Sequence, residues 1–343
     1  MTRRRLSISL AAGATAVALS VGASPAFAAI DFATATWLVG GVNYQFYNDG
    51  QDSTGGVEDL TTPTQSDYVL YKEEFGFVGG DFASSDSAYC IGATATVVTE
   101  SNGDVVITCE PYQLDSESGI WATNSYRFYS DQKLTRHVVT LENRNTESFD
   151  LGNSYINYYF DADSGSGIKT ASSSNPATCD GMTADDHWAM VARPANTIIN
   201  GMAWQAAGST TFTSAGENCE GDSFNAYFTN TTMAAGEQRT YMTLIATSEP
   251  AGASSGDMDT AFAAALAQMP VFDSINDTFC RGIEVGTVID GWGTCPAPAP
   301  APAVLPDTGA EAAVVGSSVA IGSCLLIAGA LALVMARRRQ AHS

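Results

Sequence analysis

Basic residues are scarce in this chain. Its 343 residues include only 15 Lys and Arg against 37 Asp and Glu. Six of the basic residues sit at the two ends, in Arg3–Arg5 and Arg337–Arg339. Between Ala29 and Thr308, nine basic residues face thirty-six acidic ones, a charge of −27. A phosphate backbone is gripped by clustered Lys and Arg, so this balance argues against nucleic acid as a partner. Charge of either sign is thin, at 15% of residues against about 25% in ordinary soluble domains. The chain is nevertheless 45% hydrophobic and 10% aromatic, which excludes a disordered polymer. It is long enough for one large core or two small ones. Histidine is rarer still, with His137, His187 and His342 the whole complement. There is no HExxH and no phosphate-cradling glycine loop, so those signatures of zinc proteases and nucleotide-binding proteins are missing. No CxxC or Cys/His spacing suggests zinc. No convincing internal repeat is present.

What is present begins with the ends. Residues 1–28 have the form of a signal peptide. Arg3, Arg4 and Arg5 form a basic start, Leu6 to Ala23 is apolar, Ser24-Pro25 breaks the run, and Ala26-Phe27-Ala28 is an A-x-A site. Cleavage is expected between Ala28 and Ala29. The alternative, an uncleaved membrane anchor, is opposed by Pro25 and by the small residues at the cut. The arginines raise the twin-arginine route, but Leu6 and Ser7 fit its pattern poorly, and the general secretion machinery is the expected partner.

The C-terminal end has three parts in fixed order. Leu305-Pro306-Asp307-Thr308-Gly309 comes first, within a segment that continues as a hydrophobic stretch over 310–336. Ala312 to Ala336 contains no charge, and as a helix it would extend roughly 38 Å, enough to cross a bilayer. Residues 337–343, opening with Arg337-Arg338-Arg339, then form a basic tail expected on the cytoplasmic side. This arrangement resembles the cell-wall sorting signal of Gram-positive surface proteins, LPxTG followed by a hydrophobic stretch and a basic tail. The resemblance covers residues 305–343 and says nothing of the ectodomain. It implies that a sortase cuts between Thr308 and Gly309 and joins Thr308 covalently to peptidoglycan, with the precursor held transiently in the membrane. A plain single-pass membrane protein carrying a chance LPDTG is the alternative.

Residues 296–304 are a proline–alanine run, which favours stiff polyproline II structure. The folded part is therefore expected over 29–295, and strand signals dominate it. Val42, Tyr44 and Phe46 alternate with polar neighbours. Ala93–Glu100 and Asp104–Glu110 flank Ser101-Asn102-Gly103, and Asn124–Tyr129 and Leu134–Glu142 flank Ser130–Lys133, predicting two hairpins. Phe149–Phe160, Trp188–Arg193, Phe224–Thr229 and Arg239–Thr247 read as further strands. One short C-terminal helix is predicted from Met258 to Met269, capped by Asp257 and stopped by Pro270. Many short strands with Gly- and Ser-rich turns predict an all-β fold, a β-sandwich. The segment Tyr126–Tyr129 with Leu134–Asn143 resembles strands of the large supersandwich domains of sugar-active proteins, an alternation that any large sheet also produces.

Seven cysteines occur, and Cys324 lies in the hydrophobic stretch. The six others, Cys90, Cys109, Cys179, Cys219, Cys280 and Cys295, are an even set in an exported chain, which suggests disulfides. Sequential pairing, 90–109, 179–219 and 280–295, keeps each bridge within one local stretch. Free buried thiols are the alternative.

Candidate sites are few. Asp161-Ala-Asp163-Ser-Gly165 offers alternating carboxylates that could wrap a calcium ion, although the twelfth position of an EF-hand loop is Ser172 rather than Glu, and a plain turn reads equally well. No other cofactor is suggested. His187 follows Asp185-Asp186, and an Asp beside a His can orient it, but no nucleophile accompanies them. His137 sits in a strand pattern. Trp37, Tyr44, Tyr47, Trp121, Tyr126, Trp188 and Trp204 could supply a sugar-stacking surface, although most are expected in the core. Val69-Leu-Tyr-Lys72 resembles a pilin lysine motif without its proline. These features predict a sortase-anchored wall protein with a non-enzymatic adhesive, binding or structural ectodomain. A wall-bound carbohydrate-active enzyme and a pilus subunit are the rivals.

Overall fold

The computed structural model describes residues 35–46, 53–54, 57–63, 70–88, 90–91, 95–160, 169–174, 182–192, 198–216, 223–229, 231–250 and 258–297. The fold is all-β, built on two large sheets whose strand pairings are antiparallel. In the first sheet the order is Thr36–Val39, Val42–Phe46, Val57–Thr61, Leu70–Phe77, Tyr155–Phe160, Ser223–Phe228 and Phe212–Gly216, with Asp86–Ser87 also against Leu70–Phe77. In the second it is Lys169–Ser172, Trp188–Ala192, Ile199–Ala203, Gln238–Ser248, Leu134–Asn143, Ile120–Phe128, Val105–Thr108 and Thr96–Thr99, with Tyr112–Leu114 beside Ile120–Phe128.

Both predicted hairpins are present. Thr99 pairs with Val105 around Asn102-Gly103, and the Asn102 carboxamide accepts the Asp104 N–H at 3.0 Å. Phe128 pairs with Thr135 around Ser130–Lys133, closed by Tyr129 N–H to Leu134 O at 3.1 Å. Phe149–Phe160, by contrast, is two strands. Phe149–Asp150 pairs with Thr232–Met233, the chain turns at Gly152 with φ +66°, and Tyr155–Phe160 then joins the first sheet. A side chain at Gly152 would lie 2.3 Å from the Gly80 nitrogen, so this turn nests against another and only glycine fits.

The two sheets bury one core between them. From the first come Tyr44, Phe46, Phe75, Phe77, Ile156, Tyr158, Phe224 and Phe228, and from the second Tyr126, Phe128, Val139, Leu141, Tyr241 and Ile245. Aromatic rings join the layers: Tyr44 stacks on Phe128 at 4.4 Å, and Phe46 meets Tyr126 edge-on at 4.7 Å. Rings at these distances contribute beyond their buried area.

A second core lies on the other side of the second sheet. Phe262, Ala265, Met269, Phe272, Phe279, Ile289 and Trp292 pack there against Leu134, Met190, Ile199, Met242 and Leu244. The C-terminal segment thus caps part of the sheet, and the Trp292 indole N–H donates to Met242 O at 2.7 Å. Double coverage explains the burial patterns. Val42–Phe46 alternates buried and half-buried, whereas Trp188–Ala192 and Ile199–Ala203 are buried at every position. The helix runs over Met258–Leu266. Its predicted end at Met269 survives as a tightened turn, with the Gln268 and Met269 N–H groups both donating to Ala265 O, ahead of Pro270. Asp257 lies outside the described residues.

Cys90–Cys109 and Cys280–Cys295 are bonded, with Cα separations of 5.2 and 5.6 Å. Sequential pairing anticipated both, while Cys179 and Cys219 lie outside the described residues. The second bridge closes a loop of sequence separation 15, worth about 3 kcal/mol in the chain-entropy account. Replacing Cys280 and Cys295 together with serine is expected to lower the unfolding free energy by that amount. Amide exchange should show Ile289 and Trp292 losing protection before the sandwich core does.

Candidate functional site

Polar and aromatic side chains gather on the outer face of the first sheet, away from the core it shares with the second. Its central strands alternate. Ile156, Tyr158, Phe224, Ala226 and Phe228 point into the core, which sends Tyr155, Asn157, Tyr159, Asn225 and Tyr227 outward. Pairing then sets them in rows. Asn157 lies opposite Asn225 on one side and Glu74 on the other, and Tyr155 lies opposite Tyr227 and Gly76. The Tyr155 and Tyr227 rings meet at 5.8 Å with planes 66° apart, and Tyr227 is 36% exposed. A β-carbon at Gly76 would lie 2.7 Å from the Tyr155 ring, so glycine there lets the ring settle onto the sheet. Burial pushes the Tyr155 phenol above its usual value, and the Glu74 carboxylate and Tyr227 add to the effect.

Asn157 is only 6% exposed, and its carbonyl oxygen and that of Asn225 have no hydrogen-bond partner among the described residues. A buried amide without a partner costs on the order of 1–3 kcal/mol. Glu74 accepts the Ser87 hydroxyl through one oxygen.

His137 and His187 fall elsewhere. His137 is sealed between the sheets at 1% exposure. Its Nε2 pairs with the Asn124 carboxamide at 2.9 Å, its Nδ1 lies 3.4 Å from Glu73, and its ring stacks on Tyr126 at 4.1 Å. Glu73 also accepts the Thr243 hydroxyl. Burial first, then the charge of Glu73, raises the Tyr126 and Tyr158 phenols well above their usual value. His187 pairs at 3.0 Å with Asp273 of the cap rather than with its sequence neighbours. Asp186 is a turn organiser: it accepts the Ser174 and Thr183 N–H groups and the Ser173 hydroxyl, and these outweigh burial to hold its carboxyl below the usual value.

Of the aromatics singled out in sequence, Tyr44, Tyr126, Trp188 and Trp204 are buried. Trp37 and Trp121 are half-buried, and Arg144 lies 4.4 Å over the Trp121 ring. Tyr47, Asp161, Asp163, Ala28, Ala29 and Leu305 to Gly309 lie outside the described residues. Among the described residues no group of three His, Cys, Asp or Glu could hold a metal, and no helix is long and apolar enough to cross a membrane. Lys72 stands opposite Tyr159 and Glu58 in the first sheet.

A cleft of about 220 Å³ is lined by Thr211, Glu237, Gln238, Arg239, Tyr241 and Asp290. Arg239 donates to Glu237 at 2.6 Å. Burial would raise the Glu237 carboxyl, but Arg239 and the Ala234 N–H outweigh it and hold the carboxyl down. Burial pushes the Asp290 carboxyl up against the opposing pull of Arg239.

No family model matches the chain, and no curated protein sequence matches it. Solved structures of similar shape include a galactose mutarotase-like protein from Clostridium acetobutylicum, 8% identical, covering 64% of this chain and 97% of that one at a TM-score of 0.40. Another is a galactose mutarotase-like protein from Lactobacillus casei, 10% identical, covering 62% and 99% at 0.39. A third is an α-galactosidase from Geobacillus stearothermophilus, 10% identical, covering 62% and 40% at 0.34.

The sequence analysis missed Tyr155, Asn157, Asn225 and Tyr227. The signal was there in part: Phe224, Ala226 and Phe228 alternate with Asn225 and Tyr227, which assigns the latter pair to the open face. What sequence did not show is that this strand lies beside Tyr155–Phe160.

Proposed function

We propose that this chain is exported, joined to peptidoglycan through Thr308 by a sortase, and acts at the wall as a non-enzymatic binding protein. The outer face of the first sheet is its contact surface. The observation that carries this reading is the juxtaposition of the Tyr155–Tyr227 pair with two amides, Asn157 and Asn225, that lack partners among the described residues. Tyrosines that present a rigid apolar body with a polar tip, beside adaptable amides, are the composition of binding surfaces. Glu73 and His137, 3.4 Å apart, are shut between the sheets, away from this face.

The rival reading, a carbohydrate-active hydrolase, draws on the cleft at Arg239. There one carboxyl is held down and another pushed up, the division that acid–base chemistry uses.

One experiment separates them. Cells carrying the wild-type protein or Tyr227→Ala are incubated with a panel of glycans and matrix proteins. The wild type is expected to retain at least one panel member unchanged, and Tyr227→Ala to lose it. Turnover of a glycan by wild type would replace the binding reading with the enzymatic one.

A further inference from the structure

The row Glu74–Asn157–Asn225 crosses three adjacent strands. Directly opposed residues in an antiparallel sheet have β-carbons about 5 Å apart. The two amides therefore stand side by side, each able to donate through its NH₂ and accept through its carbonyl. Two register positions away, on the same face, lies the row Gly76–Tyr155–Tyr227, a tyrosine pair of which Tyr227 is the more open member.

Three features narrow what would sit there. The first is the pairing of donor and acceptor in each amide, which matches a hydroxyl, itself both donor and acceptor. Two amides abreast match two neighbouring hydroxyls. The second is the tyrosine pair at the side of the amide row. It offers an apolar ring face to a ligand whose body is apolar on one side and polar at its rim. The third is charge. Glu74 adjoins Asn157, and the exported region carries −27, so an anionic ligand would be repelled on approach and on contact. A protein partner would call for a desolvated pocket around a large anchor, whereas this face offers a row of amides beside a tyrosine pair.

We propose that the outer face of the first sheet binds a neutral saccharide, with neighbouring hydroxyls on Asn157 and Asn225 and the ring body on Tyr227 and Tyr155. This rests on the reading of that face as the binding surface and adds its ligand class. Asn157 is the second, independent mark of a built site. It is more than nine-tenths buried, unpartnered among the described residues, and set in the row the ligand would occupy.

The test is calorimetric titration of the full chain, purified in detergent, with three sets of probes. These are neutral oligomers of glucose, galactose and N-acetylglucosamine, oligomers of galacturonic acid, and extracellular-matrix proteins. At least one neutral oligomer is expected to bind. Asn225→Ala and Asn157→Ala should each weaken it by about tenfold, the worth of one hydrogen bond to a desolvated group. Tyr227→Ala should weaken it at least as much, and Tyr227→Phe, which keeps the ring, should restore most of it. Galacturonic oligomers should bind more weakly than neutral ones at low salt. Near-ultraviolet circular dichroism on each variant separates lost binding from lost folding, and Asn225, the less buried amide, is the variant that decides if Asn157→Ala fails to fold. Binding of a matrix protein alone, abolished by Tyr227→Ala, would overturn the saccharide assignment and leave the face intact. Saccharide binding indifferent to Asn225→Ala and to Tyr227→Ala would overturn the assignment of the face itself.

Discussion

Arg127→Ala is expected to cost about 3–5 kcal/mol of stability, the range for breaking a buried ion pair by removing one partner. Folded domains hold only about 5–15 kcal/mol in total. Arg127 is 2% exposed, and Asp104 is fully buried. The guanidinium donates to both oxygens of Glu100, at 2.7 and 2.8 Å, and to Asp104 at 2.7 Å. Asp104 also accepts the Ser130 N–H at 2.9 Å and contacts Arg281 of the cap at 3.1 Å. The cluster therefore ties both hairpins to the C-terminal layer. Arg136, on the neighbouring strand, reinforces it by donating to the carbonyls of Phe279 and Arg281. Removing Arg127 leaves Asp104 buried with only part of its compensation.

The same cluster sets a pH dependence. Burial alone would raise the Asp104 carboxyl, but the Ser130 N–H and the guanidinium groups of Arg127 and Arg281 outweigh it and hold it at about 2. A carboxyl lowered in the folded state stabilises fully above its unfolded value of roughly 3.9, and the contribution disappears as pH falls through the folded value. The stability gap between wild type and Arg127→Ala should therefore be wide at pH 7 and narrow steadily below about pH 4. Urea unfolding at both ends of that range measures it. A gap under about 1 kcal/mol at neutral pH, the size of an exposed pair, would show that the cluster is decoration.

Changing Thr308 to Ala should remove the protein from the wall fraction almost entirely. Under the proposed anchoring, Thr308 supplies the carbonyl that is joined to peptidoglycan, and no other residue in the segment replaces it. The precursor should then stay in the membrane through residues 310–336, and deleting 310–343 should release it to the medium. Material freed from wild-type walls by muramidase should end at Thr308 carrying a fragment of peptide cross-bridge. Finding Gly309 or any later residue in it would refute the anchoring. As polyproline II, at about 3.1 Å per residue, the nine residues of 296–304 would reach roughly 28 Å at most, so under the proposed anchoring the binding face would work close to the attachment point.

Local chemistry was legible in this sequence and remote chemistry was not. Asn102-Gly103 and Ser130–Lys133 announced their hairpins because turn residues act on their immediate neighbours. Cys90–Cys109 and Cys280–Cys295 followed from proximity along the chain. The helix was visible in its composition and in Pro270. Ile199–Ala203 was missed because a strand covered on both faces loses the alternation that marks a half-exposed one, and here the cap at Met269 and Phe272 provides the second cover. His137 read correctly as a strand residue, but its neighbour Glu73 arrives from the facing sheet, and nothing near either residue in sequence encodes that meeting. The candidate site has the same origin. That Asn225 and Tyr227 alternate with core residues is written in the strand itself, because side chains on a strand have a period of two. That Tyr155–Phe160 lies alongside them is a property of the assembled sheet. Strand order is set by the packing of whole sheets against each other and by long-range pairing, energies to which no single stretch of chain has access.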